Sequence, residues 1–287
     1  MKFGASTFIW VSPFGEDTLD LFQKVKDMGF DVLEICVEDP ETIHPDSILK
    51  AASQTGVEVL ICGAFGEDRD LSSFDATVRE QGLTYLKTCI DLAKAVGSDV
   101  VSGPMYAAVG KTNLLSDEQR NEQWDLAVEN MKKAAAYALE RGVKLAFEPL
   151  NRFETDFINT VEQGLDFIRR IDMENVGMLL DTFHMNIEER DIGDAIRLAG
   201  DKLFNFHACA NDRGTPGKDH IPWDAVKAAL DEIGYDRHVV IEAFNPKITE
   251  IAKAVALWRP LAASPDRLAS DGIEFLKEVF DTNSHLK

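Results

Sequence analysis

The chain has few cysteines and no cysteine pair. Cys36, Cys62, Cys89 and Cys209 are far apart, and none forms a C-x-x-C motif. A chain of 287 residues buries enough surface to fold without cross-links. Reduced thiols and a cytoplasmic setting are therefore expected. Long apolar runs are also missing: nothing approaches the roughly 20 residues a membrane helix needs. The first ten residues, MKFGASTFIW, hold one Lys and no apolar core of signal-peptide type. A protein that is soluble, not exported and free of membrane contact is expected. Positive charge is scarce as well. Thirty Lys and Arg face 50 Asp and Glu, for a net charge of −20. That balance repels phosphate backbones and argues against nucleic acid as a partner, while an acidic cleft would draw cations. There is no Pro/Ser-rich linker, no low-complexity tract and no sequence repeat. One domain over residues 1–287 is expected.

What is present is a regular alternation. Strand patterns lie at Lys2 to Phe8, Asp31 to Val37, Val57 to Cys62, Asp99 to Ser102, Val143 to Phe147, Val176 to Leu180, Leu203 to Phe206 and Val239 to Ile241. Helical spacing fills the intervals: Asp17 to Met28, Ser47 to Gln54, Phe74 to Val96, Ser116 to Glu140, Thr160 to Ile171, Ile192 to Ala199 and Trp223 to Ile233. Lys247 to Trp258 and Ser270 to Phe280 finish the chain as helices. Ser116 and Gln119 have capping-box spacing, and Gly29 stands where a helix-ending glycine belongs. Strands alternating with helices imply a parallel sheet, and eight units imply an α/β fold of (β/α)8 TIM-barrel type. An open doubly wound sheet fits less well, because no GxGxxG follows the first strand.

Four consecutive strands end in Glu148, Asp181, His207 and Glu242. One acid after a strand usually reads as a helix cap or a solvated group. One histidine there usually reads as a hydrogen-bonded core residue. Four in the same topological position, on strands whose C-terminal ends converge, read as a site. Three carboxylates and an imidazole suit Mn2+, Mg2+ or Co2+ better than Zn2+.

The surrounding motifs, GVKLAFEPLNRFETD, VGMLLDTFHMNIEE, FHACANDRGTPGKDHIPW and VVIEAFN, resemble those of the ketose 3-epimerases. These are the D-tagatose, D-psicose (allulose) and L-ribulose 3-epimerases of the xylose-isomerase-like barrels. The resemblance runs through nearly the whole chain. It implies that Glu148, Asp181, His207 and Glu242 hold a divalent metal, Mn2+ first, and that Glu148 and Glu242 are also the catalytic acid/base pair. It implies that Glu154, His184 and Arg213 bind the ketose near O1 to O3, with Phe244 flanking the sugar. A homodimer or homotetramer is implied too. The first loop, TFIWVSPFGE, differs from the tagatose and psicose enzymes, so Trp10 or Phe14 is expected to line the pocket. Tyr106 stands near a tryptophan of some members.

The chemistry fits the residue types. Inversion at C3 of a 2-ketose needs one proton removed and another delivered on the opposite face, work for two carboxylates. The alternatives are an aldose–ketose isomerase, an inosose-dehydratase-like lyase and a non-catalytic sugar-binding barrel. Glu34 divides evenly between a role at the site and an interior hydrogen bond. Cys62 reads as a small buried thiol. Asp212 reads as an orienter of Arg213 or a loop cap, and Glu188, Glu189 and Arg190 as a solvated charge run.

Overall fold

The alternation resolves into strand–helix units in the computed structural model, which describes residues 1–281. In chain order come β1 (Lys2–Ser6), α1 (Leu21–Met28), β2 (Val32–Val37), α2 (Pro45–Thr55), β3 (Glu58–Gly63), α3 (Ala76–Val96), β4 (Val100–Gly103) and α4 (Asp117–Leu139). Then follow β5 (Lys144–Phe147), α5 (Val161–Ile171), β6 (Val176–Asp181), α6 (Thr182–Glu188), α7 (Ile192–Ala199), β7 (Leu203–His207), α8 (Trp223–Glu232), β8 (His238–Ile241), α9 (Thr249–Ala254) and α10 (Pro265–Asp281). Each strand pairs in parallel with the next. β8 returns to β1 through pairs running from Lys2↔His238 to Ala5↔Ile241, so the sheet closes and no edge is left. This is the eight-stranded barrel the sequence pattern implied.

Strand parity decides what fills it. Val32, Leu60, Val100, Ala146, Leu179, Phe204 and Val240, from seven strands, form one apolar plug. Side chains alternate along a strand, so a residue two positions on points the same way. Two positions beyond Val32, Val100, Ala146, Leu179 and Val240 stand Glu34, Ser102, Glu148, Asp181 and Glu242. The barrel thus changes from apolar to acidic toward its C-terminal mouth. β7 reaches the same result through an irregularity. Its register against β6 jumps between Met178↔Leu203 and Leu179↔Asn205, leaving Phe204 as an extra residue. A bulge of this kind re-aims the strand. Beyond it Asn205 bonds across the barrel to Glu34 and Ser102, and His207 joins the acids.

The ends of the elements follow local chemistry. The Ser116 hydroxyl accepts from the Gln119 amide N–H, and the Gln119 side chain accepts from Ser116 N–H, completing the expected box. Gly103 ends β4 at φ 118°, where an added Cβ would lie 2.6 Å from the Gly63 carbonyl oxygen, so glycine is required there. Several expected boundaries move, and one helix is new. β1 stops at Ser6, whose hydroxyl caps a 3-10 turn at Thr7–Ile9. The Lys247 to Trp258 helix shortens to Thr249–Ala254. The last helix starts at Pro265 instead of Ser270, because Ser264 Oγ accepts from Arg267 N–H and proline suits a first helical turn. α6 was not expected, since Asp181 both ends β6 and caps this helix. Among the described residues, no helix is long and apolar enough to cross a membrane.

Candidate active site

Glu148, Asp181, His207 and Glu242 each offer an atom to a common point, and those atoms lie within 4.8 Å of one another. Glu148 follows β5 directly, its N–H donating to Gly103 O at 3.2 Å, and Pro149 then ends the ladder. Asp181 is held by the Phe183 N–H, which donates to Oδ1 at 2.7 Å, and by the Cys209 thiol, 3.2 Å from Oδ2. His207 Nδ1 stands 3.9 Å from both Asp181 Oδ2 and Glu242 Oε2. Its Nε2 lies 2.9 Å from Glu34 Oε1 on the far side, a hydrogen-bond separation with the carboxylate set off the N–H axis. The ring therefore presents Nδ1 to the acids.

The electrostatics of this cluster are those of a cation site. Burial, then the charge of Glu242, pushes the Glu148 carboxyl well above its usual range. Burial likewise raises Asp181 and Glu242, against the pull of Arg213 and His207. Burial disfavours the His207 cation, yet Glu34, Glu242 and Glu148 together hold it well above the ordinary imidazole value. Glu148 Oε1, Glu34 Oε1 and both ring nitrogens of His207 are buried without a hydrogen-bond partner. Unpartnered polar atoms among crowded, desolvated acids are what a divalent cation would satisfy, and the donor set is oxygen-rich with one imidazole.

A second group of side chains stands beside these four. Asn151 N–H donates to His184 Nδ1 at 3.0 Å. A backbone amide only donates, so Nδ1 is an acceptor and the neutral ring carries its proton on Nε2. Burial and the nearby Arg213 charge hold His184 well below the usual value, in agreement. The proton then faces Glu148 Oε1, 3.6 Å away, and the 3.3 Å approach of Arg213 Nη2 to Nε2 is a contact between two donors. Arg213 Nη1 donates to Glu242 Oε2 at 3.1 Å and Nη2 to Glu154 Oε1 at 3.4 Å. Its guanidinium sits over both Phe183 and Phe244, at 4.0 and 4.7 Å from their ring centres. To reach there the Arg213 backbone takes φ 62°, an uncommon conformation for a side-chain-bearing residue. Asn151 Nδ2 donates to Glu154 Oε1 at 2.9 Å, so Glu154, His184 and Arg213 are one linked set.

These groups open onto a cavity of about 510 Å³ whose wall includes Glu148, Glu154, His184, Arg213, Glu242 and Phe244. A larger depression, about 660 Å³, is more open and contains none of them.

The chain matches the family described as xylose isomerase-like TIM barrel over residues 22–279. It is 37% identical over 284 residues to a probable ketose 3-epimerase of Synechocystis, covering 99% of this chain and 98% of that one. It is 31% identical over 296 residues to a D-psicose 3-epimerase of Ruminiclostridium cellulolyticum, covering 99% and 100%. The chain belongs to the ketose 3-epimerases of the xylose isomerase-like TIM barrels. A solved D-allulose 3-epimerase of Methylomonas sp. in complex with D-allulose superposes on this ketose 3-epimerase barrel with a TM-score of 0.90, at 27% identity and 97% and 96% coverage.

Several sequence expectations need correction within this epimerase site. Trp10 and Phe14 line the 660 Å³ depression, and Trp10 Nε1 donates to Asp266. Phe8 reaches the site cavity instead, turned inward by the 3-10 segment, with its ring 5.3 Å from that of Phe244. Tyr106 is fully buried, stacked on Phe157, and does not line the cavity. Asp212 caps Gly214 N–H and pairs with Arg259, so it is a loop cap. The Glu188 side chain is largely covered and grips Arg152 at 2.9 and 3.0 Å, and Glu189 accepts from Val161 N–H at the start of α5, so these two are not a solvated face, while Arg190 is exposed as expected. Phe183, Cys209 and Asn151 have contacts at the site that went unassigned; only the quoted motifs around them gave a signal. Cys62 is buried and at the cavity wall.

Proposed function

We propose that this chain inverts C3 of free ketoses, with Glu148 and Glu242 as the acid/base pair. One observation carries the reading. Two buried carboxylates, from strands three apart around the ring, meet in one cluster with Asp181 and His207 at the wall of a sugar-sized cavity. Neither binding alone nor a barrel core requires that arrangement.

Glu148, Asp181, His207 and Glu242 would hold the metal. When bound, a divalent cation supplies positive charge that acidifies the C3–H bond and stabilises enediolate character. The residues do the rest. One carboxylate takes the C3 proton, the electron pair moves toward the C2 carbonyl, and the facing carboxyl group returns a proton to the other side of C3. His184, proton on Nε2, donates to a substrate oxygen. Arg213 donates to another while its stacking on Phe183 and Phe244 keeps it from swinging out. Glu154 accepts from a hydroxyl. Phe244 and Phe8 cover an apolar face of the sugar and keep bulk water away from C3.

The donor set favours Mn2+, with Co2+ or Mg2+ as substitutes. Four free, buried cysteines accord with a reducing, cytoplasmic setting. A homodimer or homotetramer belongs to the same reading through the family.

Glu34 enters as the residue that fixes His207. An acceptor at Nε2 keeps the lone pair on Nδ1. Glu34→Gln should weaken Mn2+ binding about 10- to 100-fold, the usual effect of losing such a partner. Titration calorimetry on the metal-free variant measures it; unchanged affinity would remove Glu34 from the site.

The reaction is tested by a Mn2+-loaded panel of D-fructose, D-allulose, D-tagatose, D-sorbose, ribulose and xylulose, with products separated by chromatography. C3 epimers are expected. An aldose from D-fructose would instead mean isomerase chemistry, and loss of water would mean a lyase.

A further inference from the structure

The cavity has a second charged end that chemistry at C3 does not use. Glu38, Asp68 and Arg69 line it, on the loops that follow β2 and β3. Much of the remaining wall is apolar, with Phe8, Phe65, Val109 and Leu150. Polar groups on such a wall fix ligand orientation and choice.

Arg69 and Glu38 are held in place. The Arg69 guanidinium lies over the Tyr85 ring, 4.0 Å from its centre, and Nη1 donates to Ala64 O at 3.1 Å. Tyr85 is itself anchored: its hydroxyl accepts from Ala64 N–H and donates to Val37 O. Arg69 has five N–H donors, and stacking plus one backbone bond leaves most of them free for a ligand. Asp68 Oδ2 stays 3.8 Å from Nε. Ser12 Oγ donates to Glu38 Oε1 at 2.5 Å. Glu38 is part-buried, and its Oε2 has no hydrogen-bond partner. A buried carboxylate oxygen without a donor is unfavourable, and at a cavity wall the missing donor is one a ligand brings.

The charge balance selects the ligand class. Two carboxylates flank one guanidinium, so a phosphate or a carboxylate would meet net repulsion. A neutral hydroxyl fits both partners, accepting from Arg69 and donating to Glu38.

We propose that Glu38 and Arg69 are the specificity-determining pair for the hydroxyls of the ketose remote from C3, at C5 and C6. This rests on the C3-epimerase reading. The pair favours an uncharged six-carbon ketose over its 6-deoxy analogue and over a ketose 6-phosphate. It acts on binding and not on the proton transfer, so it shifts KM and leaves kcat almost unchanged.

The test compares Mn2+-loaded wild type, Glu38→Gln and Arg69→Lys on D-fructose, 6-deoxy-D-fructose and D-fructose 6-phosphate. Each variant should raise KM for D-fructose about tenfold or more, the range for losing a hydrogen bond to a charged group, and raise KM for the deoxy sugar, which keeps only the C5 hydroxyl, by less. Ser12→Ala, which keeps both charges, should give a smaller rise, and thermal melting checks that all variants are folded. An unchanged KM for D-fructose, an equal rise for both neutral sugars, or a wild-type preference for the phosphate overturns the pair. Absence of C3 epimerisation in the wild type overturns the parent reading and the pair with it. Normal epimerisation with unmoved KM overturns the pair alone.

Discussion

Glu148→Gln and Glu242→Gln each abolish C3 epimerisation. Glutamine keeps the shape of glutamate and removes the proton-transfer function. Lost acid/base catalysis alone lowers turnover by about 10²- to 10⁴-fold. Inversion makes the two sites non-redundant, because one carboxylate reaches only one face of C3. The same change also replaces a charged donor by a neutral one in a cluster of four buried groups, so metal affinity falls as well. The two effects are separated by assaying purified variants at saturating Mn2+, with metal content measured on the same samples. Near-normal turnover in either metal-loaded variant contradicts the assignment. For Glu242 a further consequence is expected: Arg213 Nη1 donates to its Oε2 at 3.1 Å, so the glutamine variant also loosens the arginine we propose to bind substrate, and KM should rise.

Exhaustive chelation removes activity, and Mn2+ or Co2+ restores it. Crowding and desolvation raise the carboxyls of Glu148, Asp181 and Glu242. Metal binding must therefore displace protons from them, and a drop in pH should accompany Mn2+ addition in weak buffer. Binding to the folded chain also stabilises it, by about 2.7 kcal/mol at 100 times the dissociation constant. A higher melting temperature thus accompanies the return of activity. Full activity in dialysed protein with no residual metal defeats this part of the account, whatever the melting curve does.

The fold was legible wherever local rules act. The Ser116–Gln119 box, the glycine after α1 and the acids after β5 and β8 and at the end of β6 all depend on neighbours a few residues away. The four site residues were legible because a closed parallel barrel gathers strand tips at one mouth, so topology alone brings Glu148, Asp181, His207 and Glu242 together. What was missed depends on distant or irregular geometry. The contact of Glu34 with His207 joins β2 to β7 across the barrel. The β7 bulge that aims His207 changes strand parity with no glycine or proline to mark it. Phe8 reads as a continuation of β1, and only the Ser6 cap turns it toward Phe244. α6 was hidden because one residue, Asp181, ends a strand and starts a helix. The outer cavity wall, with Glu38 and Arg69, is made of loops whose pairing has no sequence period.

The decisive measurement is the fate of the C3 hydrogen. Mn2+-loaded protein is incubated with D-fructose in D2O, and the sugars are separated and analysed by NMR. The expected result is D-allulose with deuterium at C3, no aldose, and no deuterium at C1. Deuterium at C1 with an aldose product, or a C3 epimer that keeps its original hydrogen, would contradict proton exchange between two facing carboxylates.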